Sequence, residues 1–193
     1  MRSGPVLSIL LRFVLGLVCQ GLLSGPALSL DLSIMSDFGA PDFSRNSALV
    51  VQNGNANSAN ILQSNDLGSV SGNYAEIKQV GGGNDASITQ SGGDHNRARI
   101  DQTGESHIAK VTQTGFTNSA DIIQTGRGNA LDATQTGNNN SIIFSQLGLG
   151  KVNLVQSGND NTLDIKQAAG TGTGTTTTIR QDGNGSKAIV SQN

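Results

Sequence analysis

Cysteine is nearly missing from the chain of 193 residues, with Cys19 as its one example, and tryptophan is absent altogether. Tyrosine occurs once and phenylalanine five times, which excludes an ordinary aromatic core. Charged residues make up 13% of the sequence, too few for a typical disordered chain. What is abundant is glycine, with 26 residues, together with Gln, Asn, Ser and Thr. This composition favours an amide-rich β-assembly.

The first 29 residues have the features of a secretion signal. Arg2 precedes an apolar run that continues past Arg12, and small residues at Gly25, Ala27 and Ser29 suit signal peptidase. We therefore expect residues 1–29 to be removed as a signal peptide and the protein to be secreted. Cys19 leaves with it, so disulfides and thiolate metal sites are not expected in the mature chain. Ten basic and fourteen acidic residues remain, and this balance does not favour a nucleic-acid partner.

Residues 30–45 form a short lead-in that we expect to be irregular, and residues 46–193 form an array of thirteen half-repeats. Each half-repeat ends in a glutamine, usually eleven residues after the one before it. Longer intervals place insertions at 64–72 and 168–174, between units, where turns tolerate them. The glutamines are Gln52, Gln63, Gln79, Gln90, Gln102, Gln113, Gln124, Gln135, Gln146, Gln156, Gln167, Gln181 and Gln192.

Apolar residues alternate with polar ones in front of each glutamine. A small residue usually lies four positions before it and a branched one two positions before it, the pattern of a short strand with one buried face. From Leu131 onward several of these positions hold bulkier side chains. The predicted core is Ala48, Val50, Ala59, Ile61, Ala75, Ile77, Ala86, Ile88, Ala98, Ile100, Ala109, Val111, Ala120, Ile122, Leu131, Ile142, Phe144, Val152, Leu154, Leu163, Ile165, Ile179, Ala188 and Val190.

Most half-repeats also begin with an asparagine six residues before the glutamine. Inward amides are costly to bury unless they are paired, so equivalent positions should hydrogen-bond to one another in ladders between stacked units. Glycine two residues after the glutamine supplies a turn position open to positive φ. With the glutamines, the predicted ladder residues are Asn46, Asn57, Asn73, Asn84, Asn96, Asn118, Asn129, Asn140 and Asn161.

Strands this short need to stack, and we predict an all-β solenoid with strand–turn–strand rungs of about 22 residues. Two parallel, in-register sheets would then enclose a thin core in a cross-β arrangement of about six and a half rungs. The charged residues support a rung of two strands. With one strand per rung, Arg99 would stack on Lys110, a pair of like charges. With two strands per rung, Glu76, Arg99 and Asp121 stack along one sheet and alternate in sign. Unlike charges on neighbouring strands are favoured by about 0.2–1 kcal/mol per pair. Two further pairs, Lys78 with Asp101 and Lys110 with Asp132, follow from the same stacking.

The repeat resembles that of the curlins, secreted subunits of bacterial curli amyloid fibres. Their spacing of Ser or Asn, five residues, Gln-x-Gly-x-x-Asn, five residues and Gln matches residues 96–113, with His107 replacing Asn. It also matches residues 73–90, 118–135 and 129–146. The motif A-x-I-D-Q-T-G at residues 98–104 is more similar to the minor, nucleating subunit of curli than to the major one.

The resemblance implies function and partners as well as fold. It implies assembly into, or nucleation of, extracellular fibres of the biofilm matrix that serve adhesion at the bacterial cell surface. The implied partners are other copies of the chain, other curlin subunits, and the outer-membrane secretion and accessory proteins of curli. No cofactor, small-molecule substrate or nucleic acid is implied.

Catalysis and metal binding find little support in the residues. His95 and His107 have no accompanying nucleophile, and the carboxylates do not recur in pairs, so we predict neither an enzyme nor a metal site. The glycine-rich stretch 81–85 is similar to calcium-binding nonapeptide turns, but its period is eleven and Asp does not recur there. Both histidines are interpreted as tolerated polar substitutions.

An alternative function is a monomeric, secreted β-solenoid that binds a surface such as ice or a polysaccharide. Thr103, Thr114, Thr125 and Thr136 follow successive glutamines and would form an outward rank, although the sequence places them in turns. A disordered amide-rich spacer conflicts with the strict apolar period.

If the protein forms fibres, we expect the last unit, ending at Gln192, to be a growth surface. It would meet Ala48–Gln52 of a neighbouring copy.

Overall fold

The structure, a computed structural model, describes residues 29–31, 46–65, 71–168 and 175–192. The predicted signal peptide lies outside these residues except for Ser29, and so do residues 32–45 of the lead-in and Asn193. Residues 66–70 and 169–174, which belong to the two predicted insertions, also lie outside them. The elements are all strands: β1 Ser29–Asp31, β2 Ser47–Asn53, β3 Ser58–Gln63, β4 Tyr74–Gly82, β5 Asp85–Ser91, β6 Arg97–Glu105, β7 Ile108–Thr114, β8 Ser119–Arg127, β9 Asn129–Thr136, β10 Ser141–Leu147, β11 Gly150–Ser157, β12 Thr162–Gln167, β13 Thr175–Asp182 and β14 Lys187–Gln192.

Strands β2 to β14 alternate between two sheets. The first, sheet A, has the order β1-β2-β4-β6-β8-β10-β12-β14, and the second, sheet B, has the order β13-β11-β9-β7-β5-β3. Every pair among β2 to β14 is parallel. One strand from each sheet and two turns make a rung of about 23 residues, stacked in about six turns. The predicted all-β solenoid with two-strand rungs is confirmed.

The register places equivalent residues of successive rungs beside each other. Gln79 lies opposite Gln102, Ile77 opposite Ile100, and Ala75 opposite Ala98. The outward charges obey the same register, with Glu76 opposite Arg99 and Lys78 opposite Asp101, as the two-strand rung requires. Lys110 lies opposite Asp132 on sheet B.

The core is a single layer of side chains between the two sheets. Alternate residues of each strand point inward, and twenty apolar residues from Ala59 to Ile165 form one buried cluster. The predicted core residues lie within it, except for five in the first and last rungs that are partly buried against it: Ala48, Val50, Ile179, Ala188 and Val190. Ala133 also belongs to the cluster. Burial here depends on a neighbouring rung, which the outermost strands have on one side.

The turns have one conformation repeated along the molecule. The residue before the ladder position adopts positive φ in turn after turn, between 55° and 59° where it is not glycine. The non-glycine residues held in this left-handed region are Ala56, His95, Ser106, Thr117, Asn139 and Asp160. Because this region disfavours side chains with a Cβ, these turns are kept by the pairing on either side of them.

The outer edge of sheet A at β2 differs from the sequence interpretation. Strand β1 lies within the stretch around the predicted cleavage site and lead-in, and pairs antiparallel with β2, Leu30 lying opposite Val50. The outer edge of β2 is therefore occupied, whereas we expected 48–52 to be open to a neighbour. Residues 175–178, part of a threonine run, form the start of β13 and pair with β11. Within the described residues, no helix is long and apolar enough to cross a membrane.

Candidate functional site

Glutamine side chains form two ladders along the inside of the solenoid. In sheet A, the Nε2 of each glutamine donates to the Oε1 of the next through Gln52, Gln79, Gln102, Gln124 and Gln146, over 2.7 to 3.4 Å. In sheet B the same donation joins Gln63, Gln90, Gln113, Gln135, Gln156 and Gln181, over 2.8 to 2.9 Å. The central members are fully buried, so their pairing satisfies groups that water does not reach.

The facing sheet sets the direction of both glutamine ladders. The second hydrogen of an Nε2 goes to a backbone carbonyl across the core: that of Gln79 to Ser58, that of Gln90 to Tyr74, and that of Gln113 to Arg97. A carbonyl only accepts, so the amide nitrogen has to face it. These glutamines therefore donate toward the C-terminal end of the array, and each of them links a rung to the next as well as one sheet to the other.

Asparagine ladders run in the opposite direction. The backbone N–H and the Nδ2 of Asn96 both donate to the Oδ1 of Asn73, at 2.9 and 3.0 Å. Asn118 donates in the same way to Asn96, and Asn140 to Asn118. The backbone N–H fixes the acceptor, so these amides donate toward the N-terminal end. The dipoles of the two ladder types therefore oppose each other along the solenoid axis.

Most ladder asparagines also bind a glycine carbonyl of the neighbouring turn. The Nδ2 of Asn96 donates to the carbonyl of Gly115 at 2.6 Å, and that of Asn118 to the carbonyl of Gly137 at 2.8 Å. These glycines have positive φ, and a Cβ on Gly115 would overlap the Gly137 carbonyl stacked on it. The Gln-x-Gly-x-x-Asn spacing thus combines a turn that admits only glycine with the amide that binds its carbonyl.

A third ladder, on the exposed turns, escaped the sequence interpretation. The Oδ1 of Asn138 accepts the N–H of Phe116, that of Asn159 accepts the N–H of Asn138, and that of Asn184 accepts the N–H of Asn159. The sequence signal of this ladder is the motif Gln-x-Gly-Asn, which follows alternate strands and ends at residues 138, 159 and 184. These side chains stitch one row of turns together in the C-terminal half.

His107 occupies a ladder position and reproduces the bonds of the missing asparagine. Its backbone N–H donates to the Oδ1 of Asn84 at 3.1 Å, and its Nδ1 accepts the N–H of Asn129 at 3.3 Å. Its Nε2 lies 3.2 Å from the carbonyl of Thr103, which corresponds to the Thr114 carbonyl bound by Asn118. Nδ1 therefore stands in for Oδ1 and Nε2–H for Nδ2–H, which defines the neutral Nε2–H tautomer. The ring is fully buried, and burial lowers its pKa, against hydrogen bonds to the Thr103 and Gly126 carbonyls.

The ladders have two weak points. Gln146 accepts a long bond of 3.4 Å from Gln124, and its buried Nε2 has no partner. The buried Oδ1 of Asn129 is also unpaired, and the residue beside it in the next rung is Gly150, which has no side-chain amide to donate. Both lie where the core becomes bulky, with Leu131 and Phe144 fully enclosed.

The outer face of sheet A carries an ion-pair network in its N-terminal half. Arg99 lies 3.0 Å from Asp101, 3.4 Å from Asp121 and 3.9 Å from Glu76, and Lys78 lies 3.6 Å from Asp101. These groups are part-exposed and belong to strands β4, β6 and β8, so the network contributes to rung register more than to any pocket.

The four threonines of the surface-binding alternative were expected to lie in turns, but the structure places them in strands. Thr103, Thr114, Thr125 and Thr136 are strand residues near the ends of β6 to β9, and not turn residues. Thr103 pairs with Thr125 on sheet A, and Thr114 with Thr136 on sheet B. They form two short pairs on opposite sheets instead of one outward rank.

The other candidate chemistry stays dispersed. His95 is exposed on a turn with its Nδ1 2.8 Å from the carboxylate of Asp94. In the part of the chain that the structure describes, no group of three or more His, Cys, Asp or Glu side chains converges to hold a metal ion.

The fold and ladders define the class: a repeat β-solenoid of parallel rungs held together by stacked amides. Residues 71–92 and 109–137 match the family model described as the curlin associated repeat, which supports the resemblance of the chain to the curlin family. No curated protein and no solved structure matches the chain. The repeat supports a structural subunit of curli-type amyloid fibres and not an enzyme.

Proposed function

We propose that the protein is a secreted curlin that builds or nucleates extracellular amyloid fibres serving biofilm cohesion and adhesion. The observation that carries this proposal is the uniform pairing from rung to rung. The parallel register, the glutamine ladder and the asparagine ladder recur along the array without a specialised central element. A bond set that joins any rung to the next can also join rungs of separate molecules.

The strand edges support self-assembly. Four of the described strands have a partner on one side only: β3 and β13 at the two ends of sheet B, and β1 and β14 at the two ends of sheet A. Exposed backbone edges of this kind are templates for strand addition. The Oε1 of Gln63 faces the β3 end of its ladder and the donating Nε2 groups point the other way, so copies would add head to tail.

A fibre test follows directly. The purified chain should form fibres that bind thioflavin T and diffract at about 4.7 Å and about 10 Å, the strand and sheet spacings. A stable soluble monomer under the same conditions would contradict the proposal. Such a monomer would instead fit a surface-binding solenoid.

The nucleating role is the finer part of the proposal, supported by the wording of 98–104 and the branched residues before most glutamines. A substoichiometric amount of preformed chain should shorten the lag of a major curlin subunit. Heat-denatured chain at the same concentration is the control. An unchanged lag, with fibres still formed by the chain alone, would assign it to the bulk of the fibre.

We also propose that the chain is secreted through an outer-membrane pore. If so, the chain should accumulate in the periplasm when the pore is deleted.

A further inference from the structure

We infer that His107 makes the middle of the solenoid sensitive to acid, because its imidazole serves as an amide in the buried ladder only while it is neutral. The inference rests on the solenoid fold and the contacts of one ring. It does not depend on fibre formation.

The geometry gives the ring no place for a second proton. The Nδ1 atom accepts the N–H of Asn129 at 3.3 Å, and Nε2 already directs its hydrogen to the Thr103 carbonyl at 3.2 Å. Protonation would place an N–H at Nδ1 against the N–H of Asn129, so a hydrogen bond between rungs would become a contact of two donors. An asparagine at this position has no such dependence, because its amide keeps an acceptor oxygen over the whole range.

The surroundings do not offer a counter-ion to the imidazolium. The nearest ladder groups, Asn84 and Asn129, are neutral amides that are themselves buried. Charged residues on the elements packed around the ring are exposed: Asp85 on β5, Lys110 on β7, Asp132 on β9, and Glu105 and Arg127 at the ends of β6 and β8. The last two pair with each other at 3.7 Å. A buried charge without a partner is strongly disfavoured, so the ring favours the neutral form.

The direction of the effect follows from the linkage of proton binding to folding. Burial lowers the pKa of His107 in the folded chain below its ordinary value of 6.5. The unfolded chain therefore binds the proton more readily, and stability falls as pH drops from 6.5 to the lowered value. Within that window the ratio of folded to unfolded chain should fall up to about tenfold per pH unit. The affected rungs are those of β5, β7 and β9.

Three forms of the full chain test this. Guanidinium unfolding of the solenoid, soluble or in fibres, is measured from about pH 7.5 to about pH 5, the range in which histidine titrates. The wild-type midpoint should fall with pH, the His95→Asn chain should follow it, and the His107→Asn chain should be nearly flat. Equal pH dependence of wild type and His107→Asn would overturn the inference. His95→Asn is the matched control because that histidine is exposed and outside the ladder.

A direct measurement covers the case in which His107→Asn does not fold. Nitrogen NMR of histidine-labelled His95→Asn chain reports one ring. It should show the neutral Nε2–H tautomer at about pH 7.5 and should stay mostly neutral in the folded chain at pH 6.5, the ordinary pKa of histidine. A folded chain whose ring is half or more protonated at pH 6.5 would overturn the inference.

Discussion

Thr117 holds a β-branched side chain in the left-handed region, at φ 57°. The next turn of the same row uses Asn139 at φ 55°, a residue type that tolerates this region. Thr117→Asn should therefore stabilise the solenoid by about 1 kcal/mol, measured as a higher guanidinium midpoint. Thr114→Asn is the control, since Thr114 is a strand residue and Asn is unfavourable in strands. A midpoint raised equally by both substitutions would contradict the explanation.

Two glycines separate backbone strain from close stacking. Gly158 and Gly183 have nearly the same positive φ, 109° and 108°, so the backbone strain of an alanine is similar at the two positions. A Cβ on Gly183 has nothing within 4 Å, but one on Gly158 would overlap the carbonyl of Gly183 stacked on it. Gly158→Ala should therefore cost about 1–3 kcal/mol more than Gly183→Ala in unfolding free energy. Equal costs would show that the rungs separate easily at this turn.

At the residue scale, spacing predicted which side chains face inward but not what each turn does. The Gln and Ala positions follow from a period of two, which is a property of any strand. The left-handed turn residues include Ala, His, Ser, Thr, Asn and Asp, so residue type alone does not mark them. Asn138 and its ladder partners stand in a turn where asparagine is common for several reasons. For that reason the turn ladder was missed.

At the scale of the strand, the value of a glutamine depends on its neighbours. Gln113 donates to Gln135 and to the Arg97 carbonyl and accepts from Gln90. Gln113→Leu removes all three bonds, and each buried group that is left without a partner costs about 1–3 kcal/mol. Gln146 already has an unpaired Nε2, so Gln146→Leu should destabilise less. Unfolding midpoints of the two variants test this, and an equal loss would mean that packing, and not ladder bonding, sets the cost.

The directions of the ladders could not be predicted from the strands' sequences. A primary amide donates at one atom and accepts at the other, so a row of glutamines permits either polarity. The choice is made by backbone carbonyls across the core, such as that of Tyr74 for Gln90. Asparagine is oriented by the backbone N–H of the next rung, which gives the opposite direction. Both constraints are contacts between elements far apart in sequence.

At the scale of the whole molecule, charge alternation predicted the rung size because like charges on neighbouring strands repel. Arg99 lies between Glu76 and Asp121 as that argument requires. No corresponding signal marks β1, which is a strand of three residues without the repeat. Its antiparallel pairing to β2 closes one end of sheet A, while β3 at the same end of sheet B has no outer partner. The end of the array that contains β2 and β3 is thus half covered.

The pairing of β1 with β2 should slow the addition of a further copy at this end of the array. Proline substitutions in β1 test this prediction. Consecutive residues of a strand direct their N–H groups to opposite sides, so one of Leu30→Pro and Asp31→Pro removes a bond to β2 and the other does not. The variant that loses the bond should assemble with a shorter lag in thioflavin fluorescence. The other variant serves as its control, because it also introduces a proline into β1, one position away. Hydrogen exchange at the β2 amides identifies which is which. If that variant opens β2 to exchange and still assembles at the wild-type rate, β1 does not restrain growth.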